Sequence, residues 1–108
     1  MSKKRLKTRP EWEDALRSGR KTIDARWLSD DVGGLEVGER VNYPGAKAVV
    51  KGIRFYRGFR DLLAHEPWKR IAPDAAGPSE VLKLLESSHG VAARHSGVVA
   101  IELEPVHE

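Results

Sequence analysis

The segment Gly19-Arg20-Lys21-Thr22-Ile23-Asp24-Ala25-Arg26-Trp27 constrains this chain most, because a helix-ending glycine runs almost at once into a strictly alternating stretch. Over residues 21–27 a period of two places Ile23, Ala25 and Trp27 on one side of a strand and Thr22, Asp24 and Arg26 on the other. Upstream, residues 6–8 read as an initial strand. Thr8-Arg9-Pro10-Glu11 then offers a capping hydroxyl, an early proline and an acidic first turn. Trp12, Ala15 and Leu16 follow at helical spacing on one face, and Gly19 supplies the left-handed residue that ends that helix.

Downstream, turn clusters at 29–34, 44–45 and 73–78 divide the chain into short elements. Residues 39–43 and 47–56 read as two strands, the second with Val49, Ile53 and Phe55 opposite Val50, Arg54 and Tyr56. Residues 59–65 read as a short helix between Gly58 and Pro67. Ser79 is placed to cap another, with Val81, Leu84 and Leu85 as its buried stripe and Gly90 beyond its end. A closing strand at 98–103 alternates Val99, Ile101 and Leu103 against Ala100, Glu102 and Glu104. So few short strands must curl or be covered to hide their edges, so the expected fold is α+β: a curled sheet or open barrel with two to three short helices.

The 108 residues suffice for one domain, 1–108, and residues 1–5 form a basic N-terminus that no pattern requires to be ordered. With no cysteine, disulfides, thiolate metal sites and cysteine nucleophiles are excluded. No apolar stretch approaches the ~20 residues needed to span a bilayer, and the charged N-terminus lacks a secretory apolar region, so the expected location is the cytoplasm with no membrane partner. The net charge of +3 is uneven. Residues 1–54 carry thirteen basic and eight acidic side chains, whereas residues 55–108 carry six and eight, so the first half is the candidate face for a polyanion.

Chemistry concentrates in the opening segment, where Asp24 and Arg26 share a strand face and can pair. That leaves Lys21 at the strand's mouth, to meet a phosphate or to be desolvated into a base. As a surface ion pair, Asp24–Arg26 would have little energetic worth. Tyr56 beside Arg54 suits a stacked base next to a phosphate, whereas most other aromatics read as core. His65-Glu66 lacks the spacing of a zinc helix, and His89, His95 and His107 are scattered, so no metal is expected. Gly33-Gly34 is a turn rather than a phosphate cradle, and Ser87-Ser88-His89 cannot form a triad because adjacent helical residues do not face one another.

The stretch Gly19-Arg20-Lys21-Thr22-Ile23-Asp24-Ala25-Arg26 resembles the signature of the ASCH domain family, a branch of the PUA-like superfamily, in which glycine, lysine, an acidic residue and arginine recur at this spacing. Three further stretches resemble the family in the same order: Leu35-Glu36-Val37-Gly38-Glu39-Arg40-Val41, Phe55-Tyr56-Arg57-Gly58-Phe59-Arg60-Asp61-Leu62-Leu63, and Ser96-Gly97-Val98-Val99-Ala100-Ile101-Glu102-Leu103. The resemblance spans about residues 6–104 and implies a PUA-like pseudo-barrel that recognises RNA or a modified nucleoside, with no cofactor. On that reading Arg20, Lys21, Arg26 and Arg54 face phosphate, and Tyr56 or Trp27 stacks on a base. An alternative implied by some relatives is an amidohydrolase that deacylates N4-acetylcytidine-type compounds, using lysine, threonine and glutamate; ribonuclease action is a second alternative. Lys21 matches the lysine, Asp24 stands where the threonine would be, and the glutamate corresponds to Glu66 by residue type or Asp74 by position.

Overall fold

The computed structural model describes residues 4–28, 30–87 and 97–106. In chain order the elements are β1 (Lys4–Arg5), α1 (Pro10–Ser18), β2 (Ile23–Trp27), α2 (Asp30–Gly33), β3 (Arg40–Tyr43), β4 (Ala46–Tyr56), α3 (Phe59–His65), α4 (Trp68–Ile71), α5 (Pro78–Ser87) and β5 (Val98–Pro105). The strands form one sheet in the order β1-β3-β4-β5-β2, antiparallel throughout except for β1, which runs parallel to β3 at the edge. The four antiparallel strands curl into a half-barrel, giving a small α+β fold with a few short helices.

The alternation of β5 explains how the two faces are filled. Val99, Ile101 and Leu103 join Leu6, Leu16, Val41, Tyr43 and Val50 inside the curl. Val98 and Ala100 point the other way, into a second core with Ile23 and Ala25 of β2 and with Phe59, Leu62, Ile71, Val81 and Leu85 of the helices. A strand buried on both faces tolerates few polar residues, and Val98 through Ile101 are all buried. Trp12, Ala15 and Leu16 are the buried face of α1, as their spacing predicts, and Val81 and Leu85 are that of α5, with Leu84 half-buried.

One side-chain pair records the curl directly. Asp24 on β2 and Tyr43 on β3 are separated by two intervening strands of the sheet, yet the Tyr43 hydroxyl donates to Asp24 Oδ2 at 2.5 Å. A flat sheet would hold such strands about 14 Å apart, three strand spacings, so the bond exists only because the sheet bends back on itself.

Several local expectations need correction. The first strand is Lys4–Arg5 rather than residues 6–8, because pairing with Val41 and Asn42 fixes its register. Leu6 instead turns into the core as its amide donates to Asn42 O. Thr8 does not cap α1: Arg9 takes the cap position without a side-chain bond, and Pro10 starts the helix with a φ already suited to it. Likewise Ser79 lies inside α5, since Pro78 is its first residue and Gly77 O accepts from the Val81 amide; Gly90 lies outside the described residues. The helical turns α2 and α4 were not expected, the first falling within a stretch read as a turn.

The alternation assigned to β4 also breaks. The β4–β5 register shifts between Val50 and Gly52, leaving Lys51 as the extra residue of a bulge. Ala46, Ala48 and Val50 face the curl before it, and Ile53 packs there after it. Val49 and Ile53 therefore point to opposite faces, as do Val50 and Arg54, because one inserted residue inverts the parity of all that follow. Among the described residues no helix is long and apolar enough to cross a membrane.

Candidate functional site

The residues singled out around β2 separate into an interior cluster and a surface. Lys21 and Asp24 are only 1% and 2% exposed, and Arg26 is also buried. The Lys21 ammonium donates to Ile23 O at 2.7 Å and Ile71 O at 2.5 Å, with Nζ 4.3 Å from the centre of the Trp12 ring. Burial pulls its pKa down to about 8, with the Asp24 charge opposing and the Arg26 charge assisting. Asp24 and Arg26 do pair, as their spacing predicts, with Nη2 3.0 Å from Oδ2, but inside the protein rather than on its surface. Arg26 Nη2 also donates to Lys7 O at 2.7 Å, tying β2 to the segment before α1. Burial raises the Asp24 pKa, but the Arg26 and Lys21 charges and the Tyr43 bond outweigh it and hold the carboxyl below its ordinary range. Burial and the Asp24 carboxylate push the Tyr43 phenol well above its usual value.

A second cluster lies where β4 leaves the sheet. Arg54 donates to both oxygens of Glu66, Nε to Oε2 at 2.5 Å and Nη2 to Oε1 at 2.9 Å, while Nη1 donates to Glu102 Oε1 at 2.9 Å. Tyr56 donates to Glu66 Oε2 at 2.5 Å and stacks on His65, with ring centroids 5.5 Å apart. Tyr56 and Arg54 thus share a face, as expected, but converge on Glu66, which is 7% exposed. The Arg54 bond holds Glu66 below its ordinary pKa against the effect of burial, and the Glu66 bond raises the Tyr56 phenol. Gly52 leaves room for this network: a Cβ there would lie 3.1 Å from Arg54 Nη1 and 3.4 Å from Glu102 Oε1.

Trp27 is half-buried, edge-on to Phe59 at 4.7 Å, and its indole Nε1 is buried without a hydrogen-bond partner. Asp74 is exposed and accepts from Arg20 Nη1 at 3.0 Å, so it belongs to neither cluster. Phe55, expected among the core aromatics, is 63% exposed. His89, His95, His107 and Ser88 lie outside the described residues, among which no group of three or more metal-ligating side chains occurs.

The open surface near residues 19–22 is a groove of about 490 Å³ between the end of α1, the start of β2, α4 and the end of β5. It is lined by Arg20, Thr22, Lys51, Arg70, Glu102 and Glu104, with Gly19, Leu103 and Pro105. The bulge puts Lys51 there, 3.5 Å from Glu104. Thr22 is fixed by its backbone, its amide donating to Arg70 O and its carbonyl accepting from the Leu103 amide, while its hydroxyl oxygen is buried without a partner. Among the described residues the Arg70 guanidinium forms no ion pair or hydrogen bond. Of the residues proposed from sequence, Arg20 alone lines this groove. Lys51 and Arg70 escaped notice because a bulge and an unexpected helical turn put them there, while the position of Thr22 in the signature segment was the one available signal.

No family model and no curated protein matches the chain. Among solved structures it is similar to the crystal structure of hypothetical protein PH0355, with a TM-score of 0.88 and 27% identity over 97% of this chain and 100% of that one. It is also similar to the solution NMR structure of protein PF0455 from Pyrococcus furiosus, with a TM-score of 0.81 and 24% identity over 99% of this chain and 100% of that one. The likeness is one of fold across nearly the whole chain, and neither description names an activity.

Proposed function

We propose that the chain is a recognition module of the ASCH type, a PUA-like pseudo-barrel that holds RNA or a modified nucleoside in the groove beside the signature strand. The observation that carries this reading is the groove's lining, where Arg20, Lys51 and Arg70 come from three different elements and surround Thr22, Glu102 and Glu104. Guanidinium and ammonium groups suit phosphate, and carboxylates accept hydrogen bonds from the exocyclic amino group of a base such as cytosine. Arg54 and Tyr56 take part by positioning Glu66 and Glu102 rather than by touching the ligand, since both are committed to those carboxylates. Lys21, Asp24 and Arg26 hold the strand that carries Thr22.

The test is binding of labelled single-stranded RNA followed across a salt series. Three phosphate-facing cations predict that log K falls against log salt with a slope of about −2 or steeper, and Arg70→Ala is expected to weaken binding and flatten that slope. Salt-independent binding, or binding of neither RNA nor cytidine monophosphate at low salt, would overturn the proposal.

The amidohydrolase reading is favoured by one observation, the lowering of the Lys21 pKa to about 8. That value suits a general base at neutral pH, but the ammonium already donates to two carbonyls away from the groove lining. Chromatography of N4-acetylcytidine incubated with the wild type and with Lys21→Ala decides it: turnover lost in the variant makes Lys21 catalytic, and no turnover above buffer removes the reading.

A further inference from the structure

The lining of the groove ends at Pro105. A second depression of about 400 Å³ is lined by Arg17, Asn42, Tyr43, Gly45, Ala46, Lys47 and Val106. The two share no lining residue but draw on neighbouring residues of the same segments: the end of α1 contributes Arg17 to one, and Gly19 and Arg20 follow it into the other, while Pro105 ends β5 in one and Val106 follows it in the other. Between them lies the approach of Gly19 to Pro105. Gly19 has a φ of +82°, and a Cβ built there would stand 3.6 Å from Pro105 Cγ, so the glycine that ends α1 also keeps this divide free of a side chain. On β4, Lys47 serves one depression and Lys51 the other; four residues of strand span about 13 Å.

Together the linings hold Arg17, Arg20, Lys47, Lys51 and Arg70 against Glu102 and Glu104. Arg17 pairs with Asp14, Arg20 with Asp14 and Asp74, and Lys51 with Glu104, all through exposed side chains. Such exposed pairs contribute little and can be exchanged for phosphate oxygens. We infer that the two depressions form one track for a single-stranded nucleic acid, so that the ligand is a polymer contacting cations on both sides of the Gly19–Pro105 divide rather than a free nucleoside. This inference rests on the groove reading above and adds the class of ligand.

The experiment compares cytidine monophosphate with oligocytidylates of increasing length, on the wild type and on the double variant Arg17→Gln/Lys47→Gln. Both residues are exposed and lie outside the first groove, so the fold and mononucleotide binding are expected to persist. Affinity is expected to rise with length. The double variant should lose about tenfold for the longer oligomer, with the salt slope reduced by about 1.4, that is 0.7 for each cation removed. Mononucleotide binding with no gain on lengthening, or an oligomer affinity unchanged in the double variant, would overturn the track while leaving the groove reading intact. Binding of neither mononucleotide nor oligomer at low salt would overturn both.

Discussion

Asp24 and Tyr43 bond side chain to side chain at 2.5 Å although β5 and β4 lie between their strands in the sheet. Arg26 closes the same contact from the other side by pairing with Asp24 and reaching Lys7 O. Asp24 and Arg26 are therefore a staple across the half-barrel. Tyr43→Phe is expected to cost about 2 kcal/mol, the worth of a hydrogen bond to a charged group. Asp24→Ala is expected to cost about 3–5 kcal/mol, because Arg26 is left buried without its counter-charge. Urea denaturation of the two variants checks both values, and equal costs would show that the charge pair adds nothing beyond the phenol's bond.

Buried Lys21 sets a distinctive alkaline profile. Its pKa is near 8 in the folded protein and near 10.5 when unfolded, so between these values the unfolded chain binds more protons and stability rises with pH. The gain is about 3 kcal/mol at most, and above pH 10 it is opposed by Tyr43, whose raised pKa favours unfolding once the free phenol ionises. Melting followed by circular dichroism should show stability increasing from about pH 8 to 10 in the wild type, and a flatter profile in Lys21→Met. At the acid end Asp24 acts oppositely: its depressed pKa contributes stability above the ordinary carboxylate range, which is lost as pH falls through the folded-state value.

Gly52 is a spatial requirement of the Arg54 network rather than a backbone one. Gly52→Ala is expected to push Arg54 Nη1 away from Glu102 and to destabilise the fold by about 1 kcal/mol. Gly34→Ala is the control, since its added Cβ meets nothing within 4 Å and its φ is not in the left-handed region. Thermal melts of the pair check the contrast, and equal effects would mean that the guanidinium moves aside freely.

Both tyrosines are held above their ordinary pKa, Tyr43 chiefly by burial and then by Asp24, Tyr56 chiefly by the bond its hydroxyl donates to Glu66. In Glu66→Gln the Tyr56 phenol loses that charge and its pKa is expected to fall toward the ordinary value, while Tyr43 stays high. A spectrophotometric tyrosine titration would show one phenol moving; no movement would mean that Glu66 does not control Tyr56.

The Thr22 hydroxyl provides a test in which stability and binding part company. Its oxygen is buried without a partner, so Thr22→Val removes an unsatisfied polar group and is expected to leave stability unchanged or raise it by about 1 kcal/mol. If the hydroxyl turns to meet a ligand, RNA affinity falls in the same variant. Denaturation and binding measured on one preparation separate the two effects.

What was legible in the sequence was local. The alternation of Ile23, Ala25 and Trp27, the helical spacing of Trp12, Ala15 and Leu16, and the alternation of Val99, Ile101 and Leu103 each reflect a face that must leave water, and each face packs into a core in the structure. The bounds of α3 and the pairing of Asp24 with Arg26 were readable for the same reason, since both depend on residues close in the chain. Tertiary structure decided which polar residues meet solvent. Periodicity distinguishes the two sides of a strand, but it cannot say that the polar side of β2 will be enclosed, because that requires the curl bringing β3 across to it. Nor can it say that one inserted residue at Lys51 will invert the rest of β4, sending Arg54 and Tyr56 to Glu66 and leaving Arg20, Lys51 and Arg70 to line the groove. Short-range patterns record burial of a face, whereas a site made from the ends of α1, β5 and α4 exists only once distant segments have packed.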